Sequence, residues 1–564
     1  MPRIRPKRPD ARWKSRSAWA SVFFVFFILA IQTVKVHLFP DPRVVSQARR
    51  QYWAQVPVST SRGDIRDRNG IALALSIPAT SLFIDPQYWD PQGADALVGI
   101  LDPGEARRFK RPLSGRFQWV ARKLPRDRAS LLEKKEIPGL FALREKARVY
   151  PHGSLASHVL GFCDIDDNGL SGLELAWNNV LFSPPQTRLL ARDARGRLLD
   201  MIGCNTGEIR AGVGSLRLTL DARIQQVVES RLAQGAKEVH ARWAAAVCMD
   251  PHTGALLAVA SFPGFDLNQR GHFQNQEALR NNVLGRVYEP GSTFKPLVMG
   301  LALEEGVVGL SDRFFCTGSI AVADKVMRDV KRGGHGVQDP AQVLVNSCNV
   351  GMAMVGMRLT PFRTYGLLRA LGFGERSGVD LAGEEEGLLK PPEQWLGTVP
   401  ANIAIGQGIA VSPLQLATAI SAIANGGHLL KPYVVSDVRN GKGETIHQGK
   451  RRELATVFSE STAAWLRKAM RRVVSEGTGK GANTPLAEVA GKTGTAQIAS
   501  GGEYSKGGHV ASFVGFWPAS KPQYVLLVVL GEPQGARYYG GELAAPLFRQ
   551  IVEDLVQLPL GKTS

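Results

Sequence analysis

An α+β fold is predicted by three features of the chain. Strand-like apolar runs occur early in its C-terminal part, at residues 244–249 and 255–260, and again late, at 489–498, 510–517 and 524–530. The early pair is joined by Asp250-Pro251-His252-Thr253-Gly254, where Pro fixes φ and Gly supplies a positive φ, so the two runs read as a hairpin. Between the early and late strands the chain carries helix signals. One antiparallel sheet, completed from both ends of a domain and flanked by helices, satisfies all three.

The helices are legible at their ends. Leu218-Thr219-Leu220-Asp221-Ala222-Arg223-Ile224-Gln225-Gln226 reads as a strand tip followed by a helix capped by Asp221. Pro296 has no N–H and is tolerated only in a first turn, so a helix through Leu297, Val298 and Leu301 must begin near Ser292. Ser412-Pro413-Leu414-Gln415 is a capping box with Pro at the first helical position; Leu416, Ile420 and Ile423 mark one buried face, and Asn425-Gly426-Gly427 ends the helix. A last helix is expected from about 543 to 556.

Length and composition narrow the class. The 564 residues, 44% of them hydrophobic, suffice for at least two domains with cores of their own. Lys and Arg exceed Asp and Glu by 69 − 50 = 19. That excess sits in the N-terminal tail and in scattered runs without interleaved aromatics, which points to an anionic membrane surface, a wall polymer or solvated faces and not to nucleic acid. Cysteines 163, 204, 248, 316 and 348 form no C-x-x-C pair and are odd in number, so neither a disulfide framework nor a structural zinc site is expected.

Residues 1–16 carry seven Lys or Arg against one Asp and precede an apolar run over 18–34. Those 17 residues make roughly 26 Å of helix, enough to cross a bilayer with snorkelling flanks. The stretch Lys35-Val36-His37-Leu38-Phe39-Pro40 offers no small-residue cleavage site, so the run reads as an uncleaved anchor over 17–38. Under the positive-inside rule the tail stays in the cytoplasm and the bulk lies outside the membrane. Residues 62–74, with Asn69-Gly70, read as a charged, exposed hairpin turn, and 90–149 as an irregular α+β stretch broken by prolines.

Ser292-Thr293-Phe294-Lys295 places a serine and a lysine on one helix face, where Lys295 can reach the Ser292 hydroxyl. A serine becomes nucleophilic when a base takes its proton, and a lysine with a burial-lowered pKa can be that base. An isolated S-x-x-K reads equally as a helix cap followed by a solvated lysine. Here two further motifs follow in order, Ser347-Cys348-Asn349 and Lys492-Thr493-Gly494-Thr495, and each pattern occurs once.

S-x-x-K, S-x-N and K-T-G together are the signature shared by penicillin-binding proteins and class A β-lactamases. The chain resembles the class B penicillin-binding proteins over nearly its whole length: the anchor, residues 62–74, 148–153, 218–226, 289–296, 405–409 and 512–516 carry the likeness. The resemblance implies a cytoplasmic tail (1–16), a transmembrane anchor (17–38), an N-terminal pedestal of the dimerisation type (39–217) and a penicillin-binding/β-lactamase-like transpeptidase domain (218–560), with no glycosyltransferase domain. It also implies an oxyanion hole made by the backbone N–H groups of Ser292 and Thr495.

Acyl transfer from a peptide carbonyl assigns the remaining roles. Ser292 attacks, and Lys295 is the base, its pKa lowered by desolvation and by Lys492. Ser347 relays the proton to the leaving amine, and Asn349 holds the substrate amide. Thr493 and Thr495 bond the terminal carboxylate while Lys492 supplies positive potential, and Gly494 lets substrate lie along the strand. Cys348 reads as a small buried thiol and Glu289 as a carboxylate at a helix start.

The expected function is a peptidoglycan D,D-transpeptidase acting on stem peptides that end in D-Ala-D-Ala. It needs no metal or cofactor and is acylated by β-lactams. The septal (FtsI-like) type is favoured, partnered by a polytopic FtsW-like glycan polymerase through anchor and pedestal; the elongation type is the alternative. A β-lactamase or β-lactam sensor fits less well, because it leaves residues 62–74 and the pedestal unexplained, and an idle division scaffold would require damaged motifs.

Overall fold

The structure is a computed structural model that describes residues 12–38, 41–43, 45–46, 53–58, 62–113, 115, 117–133, 135, 137–182, 186–191, 213–269, 275–498 and 508–559. The chain divides into two units, one of residues 1–60 and 184–208, the other of 61–183 and 209–564. In the first, helix Arg12–Leu38 holds a 24-residue apolar span, Ser15–Leu38, none of whose most apolar window is buried. Phe23, Phe24, Phe26 and Phe27 all point outward, as a helix apolar on every side does when its solvent is lipid. Strands Trp53–Val58 and Gln186–Ala191 pair antiparallel in the same unit.

The second unit contains two large sheets. The first has seven strands, in the order Thr445–Gln448, Val435–Arg439, Ser215–Leu218, Ile65–Arg66, Ala72–Ile84 and Gln118–Pro125, with Leu140–Val149 also pairing Ala72–Ile84. Ser215–Leu218 runs parallel to Ile65–Arg66 and antiparallel to Val435–Arg439, so position 217/218 lies inside a strand shared by early and late parts of the chain. The expected hairpin over 62–74 is present, with Ile65 opposite Ala74.

Arg66 and Arg68 are exposed as expected, but two of its charges are not. Arg62 and Asp67 are buried. Arg62 forms an ion pair with Glu174 and donates to Asp167 O (2.7 Å) and Asn178 Oδ1 (2.8 Å). Arg148 reaches the same Glu174 at 2.7 Å. Asp67 accepts from the N–H groups of Asn69, Ile71 and Ala222. Arg62 and Asp67 are withdrawn from water in an otherwise solvated turn because residues distant in sequence supply part of their bonding.

The second sheet has five antiparallel strands in the order Ala490–Gln497, His509–Trp517, Tyr524–Gly531, Trp243–Met249 and Leu256–Phe262. The late strands therefore complete the sheet begun by the early hairpin. Every residue of Trp243–Met249 is buried, which is why its run is apolar without alternation. Helices Ala222–Glu238 and Ala544–Gln557 pack Val228, Leu232, Phe548 and Ile551 with Ala246 and Val528 on one face. The other face meets helix Pro413–Ala424. That helix has the expected capping box, but all twelve of its residues are buried instead of one face. It lies between the sheet and helix Glu460–Ser475, so it has no solvent side.

Candidate active site

The Ser292 segment is built from the core outward. Gly291–Phe294 forms a 3-10 turn that continues into helix Lys295–Glu304, with Pro296 in its first turn as its missing N–H requires. Phe294 is fully buried against the ring of Phe373, and Leu297, Val298 and Leu301 are buried behind it. At about 1.5–3 kcal/mol per buried large apolar side chain, this packing fixes where Ser292 stands. Gly291 sits at φ 55°, and a Cβ there would lie 2.9 Å from Thr495 O, so only glycine allows the turn to approach the edge strand Ala490–Gln497 so closely.

The second wall depends on a strained residue. Helix Pro340–Val345 ends and helix Asn349–Arg358 begins within a few residues, and Ser347 turns the chain between them at φ 55°. A non-glycine residue in this region costs about 1–3 kcal/mol, which the surrounding contacts must offset. The turn directs Ser347 Oγ between two lysines, 2.9 Å from Lys492 Nζ and 3.4 Å from Lys295 Nζ. Lys295 also donates to Ser347 O at 2.6 Å and to Asn349 Oδ1 at 2.7 Å. The three Lys295 hydrogen bonds thus run to the Ser347–Asn349 wall and not to Ser292.

The strand Ala490–Gln497 is the third wall. Lys492 also donates to Thr493 O at 3.1 Å. Thr493 Oγ1 lies 3.1 Å from Thr478 Oγ1, and Thr495 Oγ1 accepts the Gly540 N–H at 2.9 Å. With that lone pair engaged, the Thr495 hydroxyl proton remains available to an acceptor in the cleft. At Gly494 a Cβ would meet Ser512 Oγ at 2.4 Å and Thr293 Cγ2 at 2.8 Å. Its lack of a side chain is required by packing inside the protein, before any substrate is considered.

Both lysines are fully buried. Burial lowers Lys295 to about 8, with Cys348 and Asp329 pulling it partly back up. Lys492 falls well below its ordinary value, first by burial and second by the charge of Lys295. The expected contribution of Lys492 is not among the causes of the Lys295 shift; the repulsion falls on Lys492, which the charge of Lys295 pushes further down. Glu289 also does more than sit at a helix start, since its Oε1 accepts the Gly408 N–H at 2.8 Å and ties the 405–409 loop to the Ser292 turn. Cys348 is buried, with its thiol pushed up to about 12 by desolvation.

Ser292, Ser347, Asn349, Thr493 and Thr495 line one open cleft of about 840 Å³, with Lys295 and Lys492 beneath it. Residues 244–553 match the family described as Penicillin binding protein transpeptidase domain, and residues 57–207 match the Penicillin-binding Protein dimerisation domain. The chain belongs to the penicillin-binding protein transpeptidase family. This penicillin-binding protein is 33% identical to Stage V sporulation protein D of Bacillus subtilis over 94% of this chain and 83% of that protein. It is 31% identical to Peptidoglycan D,D-transpeptidase FtsI of Escherichia coli over 88% and 83%, respectively. The crystal structure of penicillin binding protein 3 from Mycobacterium tuberculosis superposes with a TM-score of 0.68 at 29% identity, covering 89% of this chain and 97% of that one. These similarities identify a class B penicillin-binding protein of the FtsI type.

Sequence reasoning missed several lining residues of this penicillin-binding protein. Tyr538 stacks on His509 with ring centroids 4.1 Å apart, and both border the cleft beside Thr495. Asp329 and His335 lie behind Asn349, where Asp329 Oδ2 accepts the Asn349 N–H at 2.8 Å. No local pattern marks these residues; the Tyr538-Tyr539-Gly540-Gly541 turn was the one available signal.

Proposed function

We propose that this chain is a peptidoglycan D,D-transpeptidase in which Ser292 is the acylated nucleophile. The observation that carries the reading is the convergence on one cleft of Ser292, the Ser347–Asn349 turn and the Thr493–Thr495 edge, with two buried lysines meeting at Ser347 Oγ. The substrate is a stem peptide ending in D-Ala-D-Ala. Its terminal carboxylate is bonded by Thr493 and Thr495 and attracted by Lys492, and its backbone amide by Asn349. Thr495 N–H and Ser292 N–H receive the developing oxyanion.

The incoming carboxylate explains how the lysines divide their work. An anion beside Lys492 favours its protonated form, and the restored charge repels a proton from Lys295. Lys295, freed from donating to Asn349 Oδ1, then accepts the Ser292 proton as Ser292 Oγ attacks the carbonyl carbon. Ser347 passes a proton to the departing D-alanine nitrogen, and an amine of a neighbouring stem later attacks the acyl-enzyme to form the cross-link. The same cleft accepts β-lactams; structures of the Mycobacterium tuberculosis relative complexed with aztreonam and with ampicillin support this.

The basic N-terminal tail favours a cytoplasmic N-terminus with the bulk of the chain outside the inner membrane. Residues 39–217 serve as pedestal and 218–560 as transpeptidase domain, and a polytopic FtsW-like polymerase is the partner of the anchor and pedestal. The role is septal: depletion should give filamentous cells, whereas round cells would assign the chain to elongation. The enzymatic reading is tested by intact-mass detection of a penicillin adduct mapped to Ser292. Full labelling of Ser292→Ala would sink it.

A further inference from the structure

Behind the Ser347–Asn349 wall lies a cluster that acyl transfer does not use. Cys348 Sγ takes the place of an ordinary cap oxygen on helix Asn349–Arg358, accepting the Gly351 N–H at 3.2 Å. Cys316 Sγ, an Asp329 carboxylate oxygen and Cys348 Sγ lie within 4.8 Å of one another, and all three residues are buried. His335 adjoins the group through Asp329. Its Nε2 is 3.2 Å from Asp329 Oδ1, and its backbone N–H donates to Cys316 O at 3.1 Å.

We propose that Cys316, Asp329, His335 and Cys348 form a binding site for a thiophilic divalent cation of the zinc type, which staples segment 316–335 to the Ser347–Asn349 wall. Two sulfurs, one imidazole nitrogen and one carboxylate oxygen are a donor set that a tetrahedral d¹⁰ ion accepts, and hard oxygen-seeking ions do not. The supporting hydrogen bonds suit that role. Asp329 Oδ2 is held by the Asn349 N–H at 2.8 Å, which leaves Oδ1 facing His335, and the Gly351 N–H stabilises a thiolate on Cys348.

Charge balance removes the obvious objection that Lys295 is close by. Zn²⁺ entering displaces one proton from each thiol, so the cluster carries the same net charge with the ion as with two thiols and the Asp329 carboxylate. The buried ammonium therefore meets no added positive charge. The ligands come from three stretches separated in sequence, which is why the absence of C-x-x-C argued against zinc without excluding this site. Among the described residues this is the one such cluster; Cys163 and Cys248 are free thiols outside it.

The site does not rest on the transpeptidase reading, and its test needs no activity. Full-length protein in detergent, reduced, stripped with chelator and desalted, is given Co²⁺ alone and then Zn²⁺ alone. Expected are a thiolate-to-cobalt charge-transfer band with tetrahedral d–d bands, release of two protons per ion, and displacement of Co²⁺ by Zn²⁺. Cys316→Ser and Cys348→Ser should each weaken Zn²⁺ binding by about 100-fold or more and His335→Ala by about 10-fold, while Cys248→Ser leaves it unchanged. Wild-type protein that shows its native far-ultraviolet dichroism but no charge-transfer band overturns the proposal. So does a band of full intensity in Cys316→Ser, or a Cys316–Cys348 disulfide in the isolated protein whose reduction brings no metal uptake.

Discussion

Arg62 and Arg148 in one region, and Lys295 and Lys492 in the other, are both pairs of cations withdrawn from water. The arginines share a carboxylate. Glu174 bonds both guanidinium groups, and although burial alone would raise its carboxyl, Arg148 and Arg62 outweigh burial and hold it below the usual range. The lysines share a hydroxyl, and neither hydrogen-bonds a carboxylate among the described residues. A buried cation beside an anion keeps its charge and holds structure together. A buried cation facing another across a serine gives its proton up easily, and a lysine, unlike an arginine, is able to.

The largest expected effect belongs to the lysine site. Lys295→Met should slow acylation by labelled penicillin about 10²–10⁴-fold, as loss of a general base does, while costing only about 1–2 kcal/mol of stability, because the ammonium it removes faces no carboxylate and leaves only Ser347 O and Asn349 Oδ1 without a donor. A variant that melts well below wild type would erase the contrast with the arginine cluster. Glu174→Gln is the mirror experiment: it strands two guanidinium groups and should cost about 3–5 kcal/mol in denaturant unfolding. A loss under about 1 kcal/mol would mean that the paired cluster does little structural work.

Proton affinity gives a finer probe. The second-order acylation rate of the free enzyme should rise with pH through the Lys295 value of about 8. Lys492 is held well below its ordinary value in the free site and is not a cause of the Lys295 shift, so Lys492→Met should leave that midpoint in place. A midpoint that moves upward would show that Lys492 is charged before substrate arrives. The smallest effect concerns a half-buried carboxyl without a cationic partner, Glu229, which desolvation raises to about 7 while it accepts from Ala156 N–H and Gln225 Nε2. The folded protein binds this proton more tightly than the unfolded chain does, so its stabilisation is full below the ordinary 4.5 and lost as pH rises through about 7. Its side chain is half-buried, so Glu229→Gln should add about 1–2 kcal/mol near pH 8 and nothing near pH 4, read by melting at each pH.

What the sequence revealed follows the range of the interactions involved. The hairpin at Asp250–Gly254, the cap at Asp221 and the capping box at Ser412 depend on neighbours within a few residues, and each is where local chemistry puts it. The three motif walls were legible because their residues recur as a set. Burial of Arg62 depends on Glu174 and Asn178, more than a hundred positions away, and burial of the whole Pro413–Ala424 helix depends on elements from both ends of its domain. The packing requirement at Gly494 is invisible in sequence because its neighbours Ser512 and Thr293 are not adjacent in the chain. Asp329, His335 and Cys316 meet Cys348 through a strand pair, Phe314–Cys316 with Gly336–Gln338, that no periodicity marks.

The strand Ser215–Leu218 has a practical consequence for anyone who wishes to study catalysis on a shortened chain. Its backbone is bonded to Ile65–Arg66 on one side and Val435–Arg439 on the other. A fragment begun at residue 218 would remove the strand and leave Val435–Arg439 with a bare row of amide and carbonyl groups, an invitation to pair with another copy. The minimal soluble enzyme should instead begin before Arg62, and its unfolding should be a single cooperative step that takes hairpin and catalytic sheet together.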